Sequence, residues 1–216
     1  MEEVEKERLN PDAGVKTRFV MELIRLSISL HEKVLIFSQF IDPLELLKDQ
    51  TALAFGWDVG REIALINGKI NHKSGQRQTI TDDFNDPKSE VKVLLASINC
   101  CSEGIHLYGA SRVVLLDVVW NSSKETQAIH RAYRLGQKKV VYVYNLMTVR
   151  TTDEDRYDTQ VEKGLVVELL FPSSIEASEP RKKVYEDDKI LGQMMDHQEL
   201  KNIFNEIRFL KTKVVD

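Results

Sequence analysis

Five short, largely apolar runs, most of them separated by stretches of helical periodicity, constrain this chain more than any other feature. They are Val34 to Phe37, Ile63 to Ile66, Val91 to Ala96, Val113 to Leu116 and Val140 to Leu146. Runs of this length, rich in Val, Ile and Leu, fit strands covered on both faces, as in a parallel sheet. Helical segments between them make the pattern that of a doubly wound α/β domain. The sheet-forming part spans residues 15–150, and a further helix over Thr152 to Phe171 extends the domain to residue 171.

The punctuation supports this division. Phe19, Leu23, Leu26 and Leu30 recur three and four residues apart, which predicts a helix ahead of the first strand. Pro43 falls where the first turn of the next helix is expected, and a helix holding Leu44, Leu46 and Leu47 decays near Gly56. Ser74 can cap a helix running to Phe84, which Asn85-Asp86-Pro87 would stop. Asn121-Ser122-Ser123 caps another, with Gly136 as its expected C′ glycine. Residues 1–14 are charged and expected to fray. Residues 172–188 are polar, carry Arg181-Lys182-Lys183, and are expected to form a linker. The last segment, 189–216, is expected to hold one amphipathic helix from Lys189 to Leu210.

Composition removes several classes of function. Charged residues make up 30% and hydrophobic ones 42% of 216 residues, as in a globular protein. No stretch reaches the roughly eighteen apolar residues that a membrane span needs. The net charge of −4 excludes a basic footprint over the whole surface, so any DNA contact is local. The two cysteines, Cys100 and Cys101, are adjacent, which fits neither a disulfide framework nor a zinc site. No metal site is expected.

Ligands of parallel sheets bind beyond the carboxyl ends of the strands. The candidate segments are therefore Ser38-Gln39-Phe40, Asn67-Gly68-Lys69 and Ser97 to Leu107, which contains Gly104. Each is small and polar enough to meet phosphate oxygens, and each also reads as an ordinary strand-end turn. Gln127, Arg131 and Arg134 are spaced i, i+4 and i+7, so one helix face would carry both guanidiniums. The bland account is two cations at a helix C-terminus, where the dipole favours them. The sharper one is a pair directed at a polyanion. Asp117 imitates a magnesium-binding strand end, but no Gly-x-x-x-x-Gly-Lys-Ser/Thr loop accompanies it. It is expected instead to meet backbone donors at its strand end.

Taken as an ordered set, these segments resemble the second-lobe motifs of superfamily 2 helicases in their Snf2 form. KVLIFSQF (Lys33 to Phe40) resembles motif IV. The stretch from Asn67-Gly68 through Arg77-Gln78 to Phe84-Asn85 resembles the segment that follows. VLLASINCCSEGIHLYGASRVVLLDVVWN (Val93 to Asn121) is similar to motif V and the strand after it, and QAIHRAYRLGQKK (Gln127 to Lys139) to motif VI. The Arg-Leu-Gly-Gln ending and the Cys-Ser-Glu-Gly-Ile run point to the plant CLASSY and Rad54-like branch. Departures from the commoner pattern are Asn99-Cys100-Cys101-Ser102 for Lys-Ala-Gly-Gly, His106 for Asn, and Ser122 for Pro.

The resemblance implies a RecA-like lobe 2 with a C-terminal helical appendage. In such a lobe Arg131 and Arg134 would be the catalytic arginines that cross a cleft to ATP. Gly104 and Gln127 would join them at the nucleotide. Ser38, Gln39, Gly68, Lys69 and Ser97 would track the DNA backbone. ATP and Mg would be held mainly by a first lobe that this sequence lacks, so hydrolysis is expected only when a lobe carrying the P-loop and DExx box joins it, in cis or in trans. Implied partners are double-stranded DNA and proteins of a silencing or polymerase complex, with no membrane. The implied location is the nucleus, and the implied process RNA-directed DNA methylation. The alternative is a non-catalytic interaction module, derived from a truncated remodeler, that docks through its terminal helix.

Overall fold

The protein is described by a computed structural model over residues 2–68, 75–102, 104–170 and 188–207. Lys69, Ser74, the expected linker up to residue 187, and residues 208–216 lie outside the described residues. The strands are β1 (Lys33–Ser38), β2 (Ile63–Ile66), β3 (Val93–Ser97), β4 (Ala110–Leu115) and β5 (Tyr142–Asn145). They form one parallel sheet in the order β2-β3-β1-β4-β5. The register places Ile36 beside Leu95 and Val114.

Side chains alternate across this sheet, and both sets are buried. Val34, Ile36, Ile63, Leu65, Val93, Leu95 and Val114 enter one core. Leu35, Phe37, Ala64, Ile66, Leu94, Ala96, Val113 and Leu115 enter the other. Helices α2 (Val15–Ser29) and α3 (Ile41–Phe55) close the first core. Helices α4 (Gln76–Asn85) and α5 (Ser122–Ala132) close the second. The doubly wound α/β architecture expected from continuous apolar strands is the one observed. Helix α6 (Thr152–Leu170) follows β5, and Lys16 ties its start to β4 by donating to Asp153 and to the Leu116 carbonyl, both at 2.6 Å.

Three elements differ from expectation. The charged N-terminus forms helix α1 (Glu2–Arg8), and Gln50 Nε2 donates to the Arg8 carbonyl at its end at 2.9 Å. The expected long terminal helix is instead α7 (Lys189–Asp196) and α8 (Gln198–Lys201), broken where His197 turns to extended backbone. Helix α5 stops at Ala132, before the glycine expected to end it.

Helix α7 belongs to the core. Ile190, Leu191 and Met194 are buried in the cluster that α2 closes. Asp188 caps the helix and meets Arg112 of β4, whose side chain is only 3% exposed. Arg112 donates to Asp188 and Glu32 at 2.5 Å each and to the Tyr144 hydroxyl at 2.6 Å. Tyr144 in turn donates to Asp188 at 2.6 Å. Every charge in the group has a hydrogen-bonding partner of opposite sign, which is the condition for burying it.

Candidate functional site

At the carboxyl edge the chain leaves β1 toward β2 and leaves β4 toward β5, so a switch point opens between these neighbours. Asp117 spans it. The Ser38 hydroxyl donates to Asp117 Oδ1 at 2.5 Å and accepts the Phe40 amide at 3.0 Å. The Gln39 amide donates to Asp117 Oδ2 at 3.0 Å. Asp117 therefore meets donors at its strand end. The Ser38 side chain is fully buried, with its hydroxyl turned to Asp117 beyond the neighbouring strand. Ser97 is likewise buried. Gln39 is half-buried with its side-chain amide toward the Val118 carbonyl at 3.4 Å, and Gly68 is exposed.

Helix α5 starts well. The Asn121 side chain accepts the Ser123 amide at 3.0 Å, and Lys124 reaches Asn99 at 3.1 Å. Glu125 lies one turn in, accepting from Asn145 Nδ2 at 3.1 Å. Burial pushes its carboxyl above the usual carboxylate range. Glu125 Oε2 and Asn145 Oδ1 are both buried without a hydrogen-bond partner.

The end of α5 is set by distant groups. After Ala132 the backbone turns out at Tyr133, and Gly136 adopts φ +109° over the Tyr108 ring. The Gln137 side-chain amide donates to the carbonyls of Tyr108 at 2.9 Å and Ala110 at 2.6 Å. Gln127 and Arg131 remain on the helix, but Arg134 does not. The expected common face of three residues holds for the first two only.

Arg134 stands on the following turn, exposed, with Nη1 2.7 Å from His106 Nδ1. The Arg131 carbonyl accepts the Leu107 amide at 2.7 Å. Arg134 through its guanidinium and Arg131 through its backbone carbonyl thus meet residues 106–107, in the loop that leads into β4. Asn85, at the end of α4, clamps that loop by donating to the His106 carbonyl at 2.7 Å and accepting the Gly109 amide at 2.9 Å. A Cβ on Gly109 would lie 2.3 Å from the Phe84 carbonyl oxygen, so only glycine fits. Gly104, at the head of the loop, is exposed.

The candidates therefore divide into two places. Gln39, Gly68 and the buried serines belong to the carboxyl edge. Arg134 belongs toward the amino end of β4, where Gln137 bonds its first residue. Among the described residues no cluster of His, Cys, Asp and Glu is suited to a metal ion. The cationic donors suit a phosphate chain, and nothing among them suits its metal.

Residues 15–136 match the family described as the helicase conserved C-terminal domain. The chain belongs to that family, in its Snf2 branch. The SNF2 domain-containing protein CLASSY 3 of Arabidopsis thaliana is 46% identical over 95% of the chain, and CLASSY 4 of the same plant is 47% identical over 94%. The chain spans 15% and 18% of those two relatives. The crystal structure of the C-terminal part of the Fun30 ATPase domain aligns with a TM-score of 0.57 at 25% identity, covering 66% of this chain and 44% of that one. Within this Snf2 lobe, sequence reasoning passed over the roles of Asn85, His106 and Gln137. All three lie inside motif-like segments, so the signal was present, but their partners are 21 to 29 residues away.

Proposed function

We propose that this lobe is the closing half of an ATP-driven DNA translocase, acting when a nucleotide-holding lobe meets it. The observation that carries the proposal is that the Arg134 guanidinium and the Arg131 backbone both meet one clamped loop, toward the amino end of β4. A lobe that grips DNA and senses nucleotide needs two such places. ATP with its Mg supplies the phosphoryl group whose transfer drives the cycle. On this chain Arg131 and Arg134 neutralise charge on the phosphates, while Gly104 and Gln127 border the same cleft. Closure and opening of the lobes then move the DNA contact. Gln39, Gly68 and Lys69 form that contact, with Ser38 and Ser97 supporting it from below.

DNA is thus the substrate, the nucleus the place of action, and RNA-directed DNA methylation the process; the similarity to CLASSY proteins supports this. Silencing or polymerase complex proteins are the partners this process would supply. A docking module carried by the terminal helix has less support, because the apolar face of α7 is spent on the core.

The test is ATP turnover, in the presence of DNA, by this chain joined to a nucleotide-holding lobe. Arg131→Ala and Arg134→Ala are each expected to lower it by about 10³-fold or more. DNA binding is expected to survive both changes and to weaken steeply with salt. Turnover untouched by both substitutions would overturn the proposal.

A further inference from the structure

The contact between Arg134 and His106 decides more than proximity. A guanidinium has five N–H donors, no acceptor, and keeps its charge at any working pH. At 2.7 Å from Arg134 Nη1, His106 Nδ1 must therefore present its lone pair. The ring is then the neutral tautomer with its proton on Nε2, since an imidazolium has no acceptor to offer.

The imidazole is itself held. Its own carbonyl accepts from Asn85, the next amide donates to the Arg131 carbonyl, and Leu107 is fully buried. The 106–109 segment cannot shift toward α4, because Gly109 already touches the Phe84 carbonyl. Arg134, by contrast, is exposed on a turn beyond its helix. A long side chain there would sample many rotamers unless something fixed it. A carboxylate would fix it too, but would also cancel the charge a phosphate needs and compete with the phosphate for the donors. A neutral nitrogen orients the fork through one N–H and leaves the others and the full charge available.

We propose that His106 is a positioning residue that holds the Arg134 guanidinium ready for nucleotide phosphate. This rests on the phosphate-facing reading of Arg134 above. It assigns a purpose to the position where commoner Snf2 sequences carry Asn, since an Asn Oδ1 stands about as far from the backbone as Nδ1 and accepts in the same way.

Two measurements on the chain joined to a nucleotide-holding lobe test it. The ¹⁵N resonances of the His106 ring are expected to show Nδ1 without a proton, and Arg134→Ala is expected to release the ring to a mixture of tautomers. A protonated Nδ1, or a ring that ignores Arg134→Ala, overturns the contact. In ATP turnover, His106→Leu is expected to lower kcat about 10- to 100-fold, with little change in KM for ATP. His106→Asn is expected to restore most of it. Equal loss in both variants, or no loss in His106→Leu, overturns the positioning role. A ring that behaves as expected while Arg134→Ala leaves turnover intact overturns the phosphate-facing reading of Arg134 instead.

Discussion

Glu125 shows how a single carboxyl can weaken a fold. Its Oε1 is paired with Asn145, but Oε2 and the Asn145 Oδ1 are buried acceptors with no donor among the described residues. Burial raises its pKa, and burial is the sole cause acting on it. A carboxyl raised in the folded state favours folding in acid and loses that contribution as pH rises through the folded value. Near neutrality the charged form is therefore a burden. Glu125→Gln keeps the acceptor for Asn145 Nδ2 and adds a donor for its oxygen. Thermal unfolding is expected to give the variant a higher Tm than the parent at pH 7. The two are expected to converge in acid, below the ordinary carboxylate value, where both side chains are neutral. A variant less stable than the parent at pH 7 contradicts this account of the site.

At the level of elements, local signals located the strands well and the helix ends poorly. Each strand is an apolar run whose burial is decided by its own residues, and Ile63–Ile66 is observed as it was expected. The end of α5 is different. Ala132, Tyr133, Arg134 and Leu135 all tolerate a helix, and Gly136 looks like its stop. What turns the chain out earlier is Gln137 bonding carbonyls 27 and 29 residues upstream. Ser38 follows the same logic. Nothing local in the sequence shows that its hydroxyl bonds Asp117, 79 residues on. The attachment of α7 was equally hidden, since nothing local marks Arg112 and Asp188 as partners across 76 residues. That pair yields a prediction. Asp188→Ala removes the helix cap, worth about 1 kcal/mol. It also leaves Arg112 short of one buried partner, and breaking such a pair costs about 3–5 kcal/mol. Urea unfolding is expected to show a loss of about 3 kcal/mol or more, with amide exchange rising first at Ile190 and Leu191. A loss confined to the cap value, with α7 still protected, would mean that Glu32 and Tyr144 suffice for Arg112.

Across the whole molecule, the sheet order sets two surfaces apart. Helix α5 begins at the carboxyl edge with Asn121 and runs for eleven residues. At about 1.5 Å per residue this is enough to carry its last turn to the other end of strands of this length. The groups proposed to meet DNA and those proposed to meet nucleotide would therefore lie at different ends of the same sheet. On the proposed reading the lobe supplies arginines to a phosphate chain that another lobe holds. The consequence is thermodynamic. A ligand stabilises a protein by an amount that grows with its concentration over its Kd. For the 216 residues alone, millimolar ATP with magnesium is expected to leave Tm unchanged, and no phosphate release above background is expected. With the nucleotide-holding lobe present, ATP is expected to raise Tm, and Arg134→Ala is expected to reduce that rise. Stabilisation of the lone chain by ATP, at concentrations where other polyphosphates have no effect, would show a nucleotide site in this lobe itself. The division of labour between two lobes would then have to be abandoned.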